Sequence, residues 1–338
     1  MKEGKFPDIA IVGSTGMVGS MFLRLLEDQF FLDSTIHLLA SKRSAGKEIK
    51  FRSSRLIVQD LEQFDFSKVQ LALFSAGSEV SRIYAPRAVS HGCTVIDNSS
   101  EYRYQEEVPL IVPEVNSQVI ENFIHPGIIS NPNCSTIQML VALKPIHDIY
   151  KIRRIDVTTM QAVSGTGQIA SQELKDQQRA VVEKTEIISD VYPQQIANNV
   201  LPHCGVFQDN RYTHEEMKMV WETQKILDKE IHLTATCVRV PVYNGHSESL
   251  HIETKNNINE NEVIELLKNS PGIDVFFGED EEDYPTPLVN ADGRNAVLVG
   301  RIRKDLWHEN RLSLWVVSDN LLKGAALNSL QIAEVLSS

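Results

Sequence analysis

Apolar and polar positions follow two different rhythms along this chain. In the first part, short runs of apolar residues alternate with amphipathic stretches. Asp8-Ile9-Ala10-Ile11-Val12 reads as a buried strand, Met21 to Leu26 as helix, and Ile36 to Ala40 as a second strand. Val69 to Phe74 and Thr94 to Asp97 read as further strands, with Val80 to Ser90 as helix between them. Strand and helix in alternation predict a parallel, doubly wound, Rossmann-like α/β sheet.

Past a helix that begins near Cys134 the texture changes. Arg154 to Val163, His232 to Val240, Glu248 to Lys255, Ala296 to Ile302 and Leu312 to Val317 read as strands. Helices are predicted over Ala170 to Glu183, Glu215 to Leu227 and Asn259 to Lys268, the last with Asn259 as cap and Glu262 at the capping-box position. Strands grouped with long insertions predict an open, antiparallel or mixed sheet, an α+β domain. Gly278 to Pro287, acidic and proline-containing, predicts an exposed loop, and Asp319 opens a final helix whose small residues suit close packing against the first domain. The expected division is residues 1–133 plus 320–338 for a cofactor domain and 134–319 for a catalytic and dimerisation domain. With no flexible linker between them, the active site is expected where the two meet.

A chain of 338 residues has room for two such domains. Its formal net charge of -12 argues against nucleic acid or an anionic lipid surface as main partner. No run reaches membrane-span length, and Met1 to Asp8 lacks a signal-peptide core, so a cytoplasmic protein is expected. Cys93, Cys134, Cys204 and Cys237 are scattered without CxxC spacing, so neither a metal site nor a disulfide framework is expected.

The candidate chemistry begins at Ser130-Asn131-Pro132-Asn133-Cys134-Ser135-Thr136. Pro132 stops any earlier helix, Asn133 suits an N-cap, and Ile137, Leu140 and Val141 recur at helical spacing until Pro145, expected to end the run. Cys134 then sits in a first turn, where unpaired N–H groups and the macrodipole favour the thiolate, the form that attacks carbonyls. A small buried cysteine beneath a helix start is the ordinary alternative. Gly13-Ser14-Thr15-Gly16-Met17-Val18-Gly19 follows the first strand and opens the first helix, the context of a dinucleotide-binding turn, although the spacing is GxxGxxG. The second strand ends in Ser41-Lys42-Arg43-Ser44, hydroxyls and cations in place of the acid that holds an NAD ribose, so NADP(H) is the expected cofactor. A solvated basic loop is the alternative there.

Further along, Arg239 precedes Pro241 at a strand end, and a planar guanidinium suits a carboxylate. His246 begins the next strand after Gly245 and can carry a proton. Glu215 and Lys218, three apart, share a helix face. Arg103 follows a strand end where such sheets bind ligands, and either solvation or anion binding fits it. Each feature alone has an ordinary structural explanation; a nucleophile, a clamp, a proton carrier and a cofactor turn in one chain do not.

Over essentially its whole length the chain resembles aspartate-semialdehyde dehydrogenase. The resemblance rests on Gly13 to Gly19, Ser41-Lys42-Arg43-Ser44-Ala45-Gly46, Asn131 to Thr136, Gln161-Ala162-Val163-Ser164-Gly165, Arg239-Val240-Pro241, Gly245-His246-Ser247 and Asp319-Asn320-Leu321, in the family's order. Met160 departs from it, where an aromatic is more usual. The resemblance implies the glyceraldehyde-3-phosphate-dehydrogenase-like two-domain fold and the reduction of L-4-aspartyl phosphate to L-aspartate 4-semialdehyde, on the route to lysine, diaminopimelate, threonine and methionine. It implies Cys134 as nucleophile, His246 as proton carrier, and Gln161 as orienting the thiol or touching substrate. By the same resemblance Arg239 and Glu215 hold the substrate's carboxylate and ammonium, and Arg103, Lys218 and Asn133 the phosphate. Gly13, Ser14, Thr15, Gly16, Met17, Val18, Ser41, Lys42, Arg43, Ser44, Ser164, Gly165 and Asn320 are then the cofactor residues, and a homodimer or homotetramer is implied. Two rivals remain. N-acetyl-γ-glutamyl-phosphate reductase shares the thioester logic, but its acylated substrate nitrogen leaves no ammonium for Glu215. A non-catalytic NADP-binding thiol sensor would not need Arg239, Glu215 and His246 together.

Overall fold

The computed structural model describes residues 6–278 and 280–337. The chain divides into two units, residues 1–133 with 325–338, and residues 134–324. No helix among the described residues is long and apolar enough to cross a membrane.

The first unit is built on β1 (Asp8–Val12), α1 (Met17–Asp28), β2 (Thr35–Ala40), β3 (Glu48–Phe51), β4 (Ser54–Ile57), β5 (Gln59–Asp60), β6 (Leu71–Phe74), α2 (Ser78–Ser90), β7 (Thr94–Asp97), α3 (Pro113–Asn116) and β8 (Ile128–Ser130). Its main sheet runs β5-β2-β1-β6-β7-β8, parallel throughout. The expected doubly wound sheet is therefore present. Its central strands are buried on both faces, which is why β1 and β6 read as unbroken apolar runs: Ile9, Ala10, Ile11, Val12 and all of Leu71–Phe74 are buried. Strands β3 and β4 form a separate hairpin.

The second unit holds α4 (Cys134–Tyr150), β9 (Ile152–Gln161), α5 (Gln168–Glu183), α6 (His214–Ile226), β10 (His232–Arg239), β11 (His246–Thr254), α7 (Glu260–Lys268), β12 (Ile273–Val275), β13 (Val297–Lys304) and β14 (Arg311–Ser318). The sheet order is β10-β9-β11-β14-β13-β12. Its outer pairs, β10 with β9 and β12 with β13, are parallel, and the inner pairs antiparallel. The mixed α+β sheet expected from the sequence is observed. Helices α4, α6 and α7 pack together, with α4 against β11, β13 and β14.

Four local expectations are corrected. Pro145 does not end α4, which continues to Tyr150. An internal proline costs about 3 kcal/mol, but Ile146 and Tyr150 beyond it are buried, and each such side chain returns about 1.5–3 kcal/mol. Glu262 does not complete a capping box. Asn259 caps the helix through the amides of Asn261 and Glu262, while the Glu262 carboxylate accepts a 2.6 Å bond from the Tyr150 hydroxyl. Residues 320–324 belong to the second unit, not the first. The reason is hydrogen bonding: Asn320 is tied to Gly245 and Ser164, and Asp319 accepts from Gly293. Finally, the chain after Asp319 first makes a wide π-type turn, Leu322–Ala326, before α8 (Leu327–Ser337) packs on α1, α3 and β7 of the first unit.

The glycine turn after β1 is sterically required. Gly13 has φ +90°, and a Cβ there would lie 2.9 Å from the Ser75 backbone; a Cβ on Gly19 would lie 2.3 Å from the Gly13 carbonyl oxygen. Gly19→Ala should therefore lower stability by about 1–3 kcal/mol through overpacking. Urea unfolding is the measurement, and an unchanged midpoint would remove the constraint.

Candidate active site

Strand β9 carries the site. It ends at Gln161, and the backbone of the next residue, Ala162, holds two of the expected side chains. The Ala162 N–H donates to His246 Nδ1 at 3.0 Å, and its carbonyl accepts from Arg239 Nη1 at 2.6 Å. The neighbouring strands put both side chains there: Arg239 is the last residue of β10, paired with Gln161, and His246 is the first of β11.

An amide N–H can only donate, so Nδ1 of His246 carries the lone pair. The neutral ring then bears its proton on Nε2, an atom that is buried and has no protein partner. His246 is fully buried, and its pKa is pushed down to about 3, first by burial and then by the Arg239 guanidinium, with Glu215 opposing. His246 is therefore an uncharged hydrogen-bond donor at neutral pH. Arg239 is 6% exposed and its Nε is buried without a partner. Gly165 lies against both tips: a Cβ there would stand 3.0 Å from Arg239 Nη1 and 3.2 Å from His246 Nε2.

Gln161 links this group to the helix of Cys134. Its Nε2 donates to Ser135 Oγ at 3.0 Å and to Glu215 Oε1 at 3.3 Å. A carboxylate accepts only, which fixes the amide's orientation. Glu215 in turn pairs with Lys218 at 3.0 Å, both side chains being largely covered. Helix α6 is held in place by a capping box between Thr213 and Glu216, and the second oxygen of Glu216 takes the Cys237 amide of β10.

Cys134 is the first residue of α4 and is partly exposed, unlike Cys93, Cys204 and Cys237. Burial pushes the thiols of Cys93 and Cys204 up to about 12 and about 11, and raises that of Cys237 as well, so these three are inert. Gly324 packs on Cys134, where a Cβ would lie 2.8 Å from the Cys134 Cβ. Asn320 bridges Gly245, at 2.8 Å, and Ser164, at 3.0 Å, so it braces the Val163–Thr166 turn against the loop before His246.

Within the second unit the fold thus gathers Cys134, Gln161, Ser164, Gly165, Glu215, Lys218, Arg239, His246 and Asn320 at the ends of β9, β10 and β11. Arg103 and Asn133 belong to the first unit. Arg103 is buried, with Nη2 donating to the Asn98 carbonyl at 2.7 Å, so the solvated alternative does not hold. Three contributors escaped the sequence reading. Ala162 acts through its backbone and leaves no side-chain signal. Ser135 is masked by its motif. Gly324 was legible only as a small residue, and it serves Cys134.

In the first unit, a cavity of about 460 Å³ is lined by Gly13, Thr15, Gly16, Ser41, Lys42, Arg43, Ser44 and Ser75 among others. The helix α1 that opens beside it has Gly16 at its N-cap and no side chain capping it, which leaves its first N–H groups for a ligand. Together with glycines that tolerate no Cβ, this fits a dinucleotide pyrophosphate. Asp60 also lines the cavity, but its carboxylate takes the Glu62 amide. A cavity of the same size on the outer face of the mixed sheet holds none of the expected residues. Its charges are paired, Arg154 with Asp156 and Arg311 with Glu253.

Comparison with known proteins places this geometry in a class. Residues 8–123 match the family described as "Semialdehyde dehydrogenase, NAD binding domain", and residues 143–323 "Semialdehyde dehydrogenase, dimerisation domain". The chain is a semialdehyde dehydrogenase with a nicotinamide-dinucleotide fold. The aspartate-semialdehyde dehydrogenase of Legionella pneumophila is 52% identical over 97% of this chain and 95% of its own. The crystal structure of aspartate semialdehyde dehydrogenase II complexed with ASA from Vibrio cholerae superposes with a TM-score of 0.95 at 48% identity, covering 97% of each chain. The enzyme with NADP from Candida albicans matches with a TM-score of 0.76 at 27% identity over 98% of each chain. This chain belongs to the aspartate-semialdehyde dehydrogenase family.

The tautomer can be read directly. Nitrogen-15 histidine spectra should show His246 neutral, protonated on Nε2, as pH falls through the ordinary histidine value of about 6.5. Because the folded value lies below the unfolded one, His246 takes stability away as pH drops through that value, and adds none above it. A ring that protonates with the surface histidines would overturn the assignment.

Proposed function

We propose that this protein catalyses the reductive dephosphorylation of L-4-aspartyl phosphate to L-aspartate 4-semialdehyde, using NADPH. The observation that carries the reading is the Ala162 backbone holding a hydrogen-bond-donating imidazole and a guanidinium side by side, with Gln161 tied to the turn that bears Cys134.

The Cys134 thiolate attacks the acyl carbon, a sulfur–carbon bond forms, and the carbon–oxygen bond to phosphate breaks, leaving a thioester. Amide groups at the start of α4 hold the oxyanion while this happens. When bound, a reduced nicotinamide would supply the hydride for the acyl carbon of that thioester. His246 donates a hydrogen bond from Nε2–H to the oxygen that carries the developing charge in the Cys134 thiohemiacetal, and stabilises it until the carbon–sulfur bond breaks, the aldehyde leaves and the thiolate is regenerated. The Ala162 hydrogen bond keeps the ring from rotating through this cycle.

Arg239 binds the α-carboxylate with the donors that Ala162 does not use, and Glu215 the ammonium. Lys218, Arg103 and Asn133 bind phosphate. An acylated nitrogen would leave Glu215 without a cation, which favours the aspartyl substrate over an N-acetylated one. Gly13 to Val18 bind the pyrophosphate, and Ser41, Lys42, Arg43 and Ser44 the 2′-phosphate of NADP(H). Ser164, Gly165 and Asn320 flank the nicotinamide. The second unit supports a homodimer, and the cytoplasm is the expected compartment.

Phosphate-dependent reduction of NADP by aspartate semialdehyde is the deciding assay. It should proceed with this substrate, fail with N-acetylglutamate semialdehyde, and vanish in Cys134→Ala while NADPH binding survives. Mass spectrometry should catch substrate mass on Cys134. His246→Ala should lower kcat by about a hundred- to thousandfold. Replacing Lys42 and Arg43 with alanine should weaken NADPH binding by roughly tenfold or more, since each charged hydrogen bond contributes about 1.5–3 kcal/mol, and should leave NADH unaffected. Equal NADPH and NADH affinities in the unmutated chain would remove the NADP assignment.

A further inference from the structure

One buried acid takes no part in the reaction described above. Glu248 lies in the middle of β11, paired with Thr159 of β9 and Val316 of β14, and is fully buried. Alternation along the strand puts it on the same inner face as His246, two residues away. Gln138 approaches from α4, which packs on β11, four residues and so one helical turn beyond Cys134. The Glu248 Oε1 and Oε2 and the Gln138 Oε1 and Nε2 are buried without a hydrogen-bond partner, as is Thr159 Oγ1 beside them, and Gln138 is the side chain that acts on the Glu248 carboxyl.

The chemistry of the four Glu248 and Gln138 atoms selects one protonation state. An ionised carboxylate offers acceptors only, so Gln138 could satisfy it through Nε2 while its own Oε1 faced a negative oxygen. A carboxylic acid and an amide are complementary: Nε2–H donates to one Glu248 oxygen, and the Glu248 hydroxyl donates to Gln138 Oε1. All four atoms are then satisfied and no net charge is buried. Glu248 faces Thr159 from β9, Val316 from β14 and Gln138 from α4, none of them charged. The titratable groups of the adjoining layer are His246 on its own strand and Cys134 on α4. Burial raises the Glu248 carboxyl well above its ordinary value, opposed only by Gln138. The groups that act on His246 are Arg239, Glu215 and the Gly245 backbone, and Glu248 is not among them.

We propose that Glu248 is a positioning residue: an uncharged carboxylic acid, paired with the Gln138 amide, that holds the strand of His246 against the helix of Cys134 one layer beneath the reacting atoms. Neutrality is part of the role. A negative charge two residues from His246 would stabilise its protonated form, whose Nδ1–H can no longer accept the Ala162 amide proton that orients the ring.

The inference rests on the reading of Cys134 and His246 as nucleophile and hydrogen-bond donor, and two of its three tests are independent of that reading. Difference infrared spectra of the unmutated protein against Glu248→Gln at neutral pH should show the carbonyl band of a protonated carboxyl. A carboxylate band in its place overturns the proposal. In thermal unfolding, the folded value lies above the unfolded one, so the unfolded chain releases this proton first. The unmutated protein should therefore lose stability relative to Glu248→Gln as pH rises above about 4.5. A constant difference across pH overturns it. In turnover, Glu248→Ala should lower kcat by about tenfold to a hundredfold with little change in KM, as expected when reacting groups shift by less than an ångström or so. Glu248→Gln, which keeps a donor and an acceptor, should recover most of that loss with the pH profile unmoved. A Gln variant as slow as the Ala variant, or one with a displaced profile, would mean that the charge is required, and the proposal would fail.

Discussion

The backbone of Ala162 is the point on which the site depends. One residue points its N–H at an imidazole and its carbonyl oxygen at a guanidinium. Two chemically different side chains are thereby held by two successive planar peptide units that share the Ala162 Cα. Their separation follows the backbone at that residue and does not depend on the rotamer of a third side chain. The N–H of the same residue chooses the histidine's tautomer, because an amide proton cannot be shared with a second proton on Nδ1. Orientation, tautomer and charge state of His246 all follow from the end of one strand meeting the start of another.

Around that unit the charges are arranged to be useful only together. Burial and then the Arg239 guanidinium disfavour a positive imidazole, so the ring stays a neutral donor. Gln161 spans from Glu215 to the residue after Cys134, so α6 and the first turn of α4 are read by one amide. Beneath it, Gln138 and Glu248 repeat the pattern of an amide meeting a carboxyl, this time in the dry interior.

Much of this was legible in the sequence. The strands and helices of the first unit announced themselves because a parallel sheet buries whole runs, and the glycine turn because only glycine fits two of its positions. The side chains that carry charge or sulfur were legible as chemistry: Cys134 by its helix start, Arg239 and His246 by strand ends, Glu215 and Lys218 by spacing. What stayed hidden was relational. Ala162 has no functional side chain, and its role exists only when three strands are side by side. Pro145 misled because propensity is a local quantity, while α4 is buried from Ser135 through Leu143 and is held by its surroundings. Glu262 had the right spacing for a cap but found a phenol. The return of residues 320–324 to the second unit could not be seen either, since the signal is a set of hydrogen bonds to Asn320 and Asp319 from distant loops.

The ion pair between Glu215 and Lys218 has a consequence for selectivity. Before any ligand arrives, these two opposite charges neutralise one another in a largely covered setting. Under the roles proposed for Glu215 and Lys218, a visitor that brings only an amine, or only an anion, must give up the contact between them and replace it on one side alone. A molecule carrying both ends at the right separation replaces one internal contact with two external ones, and abandons nothing. With those roles, the resting pair would act as a coincidence detector for dipolar ligands.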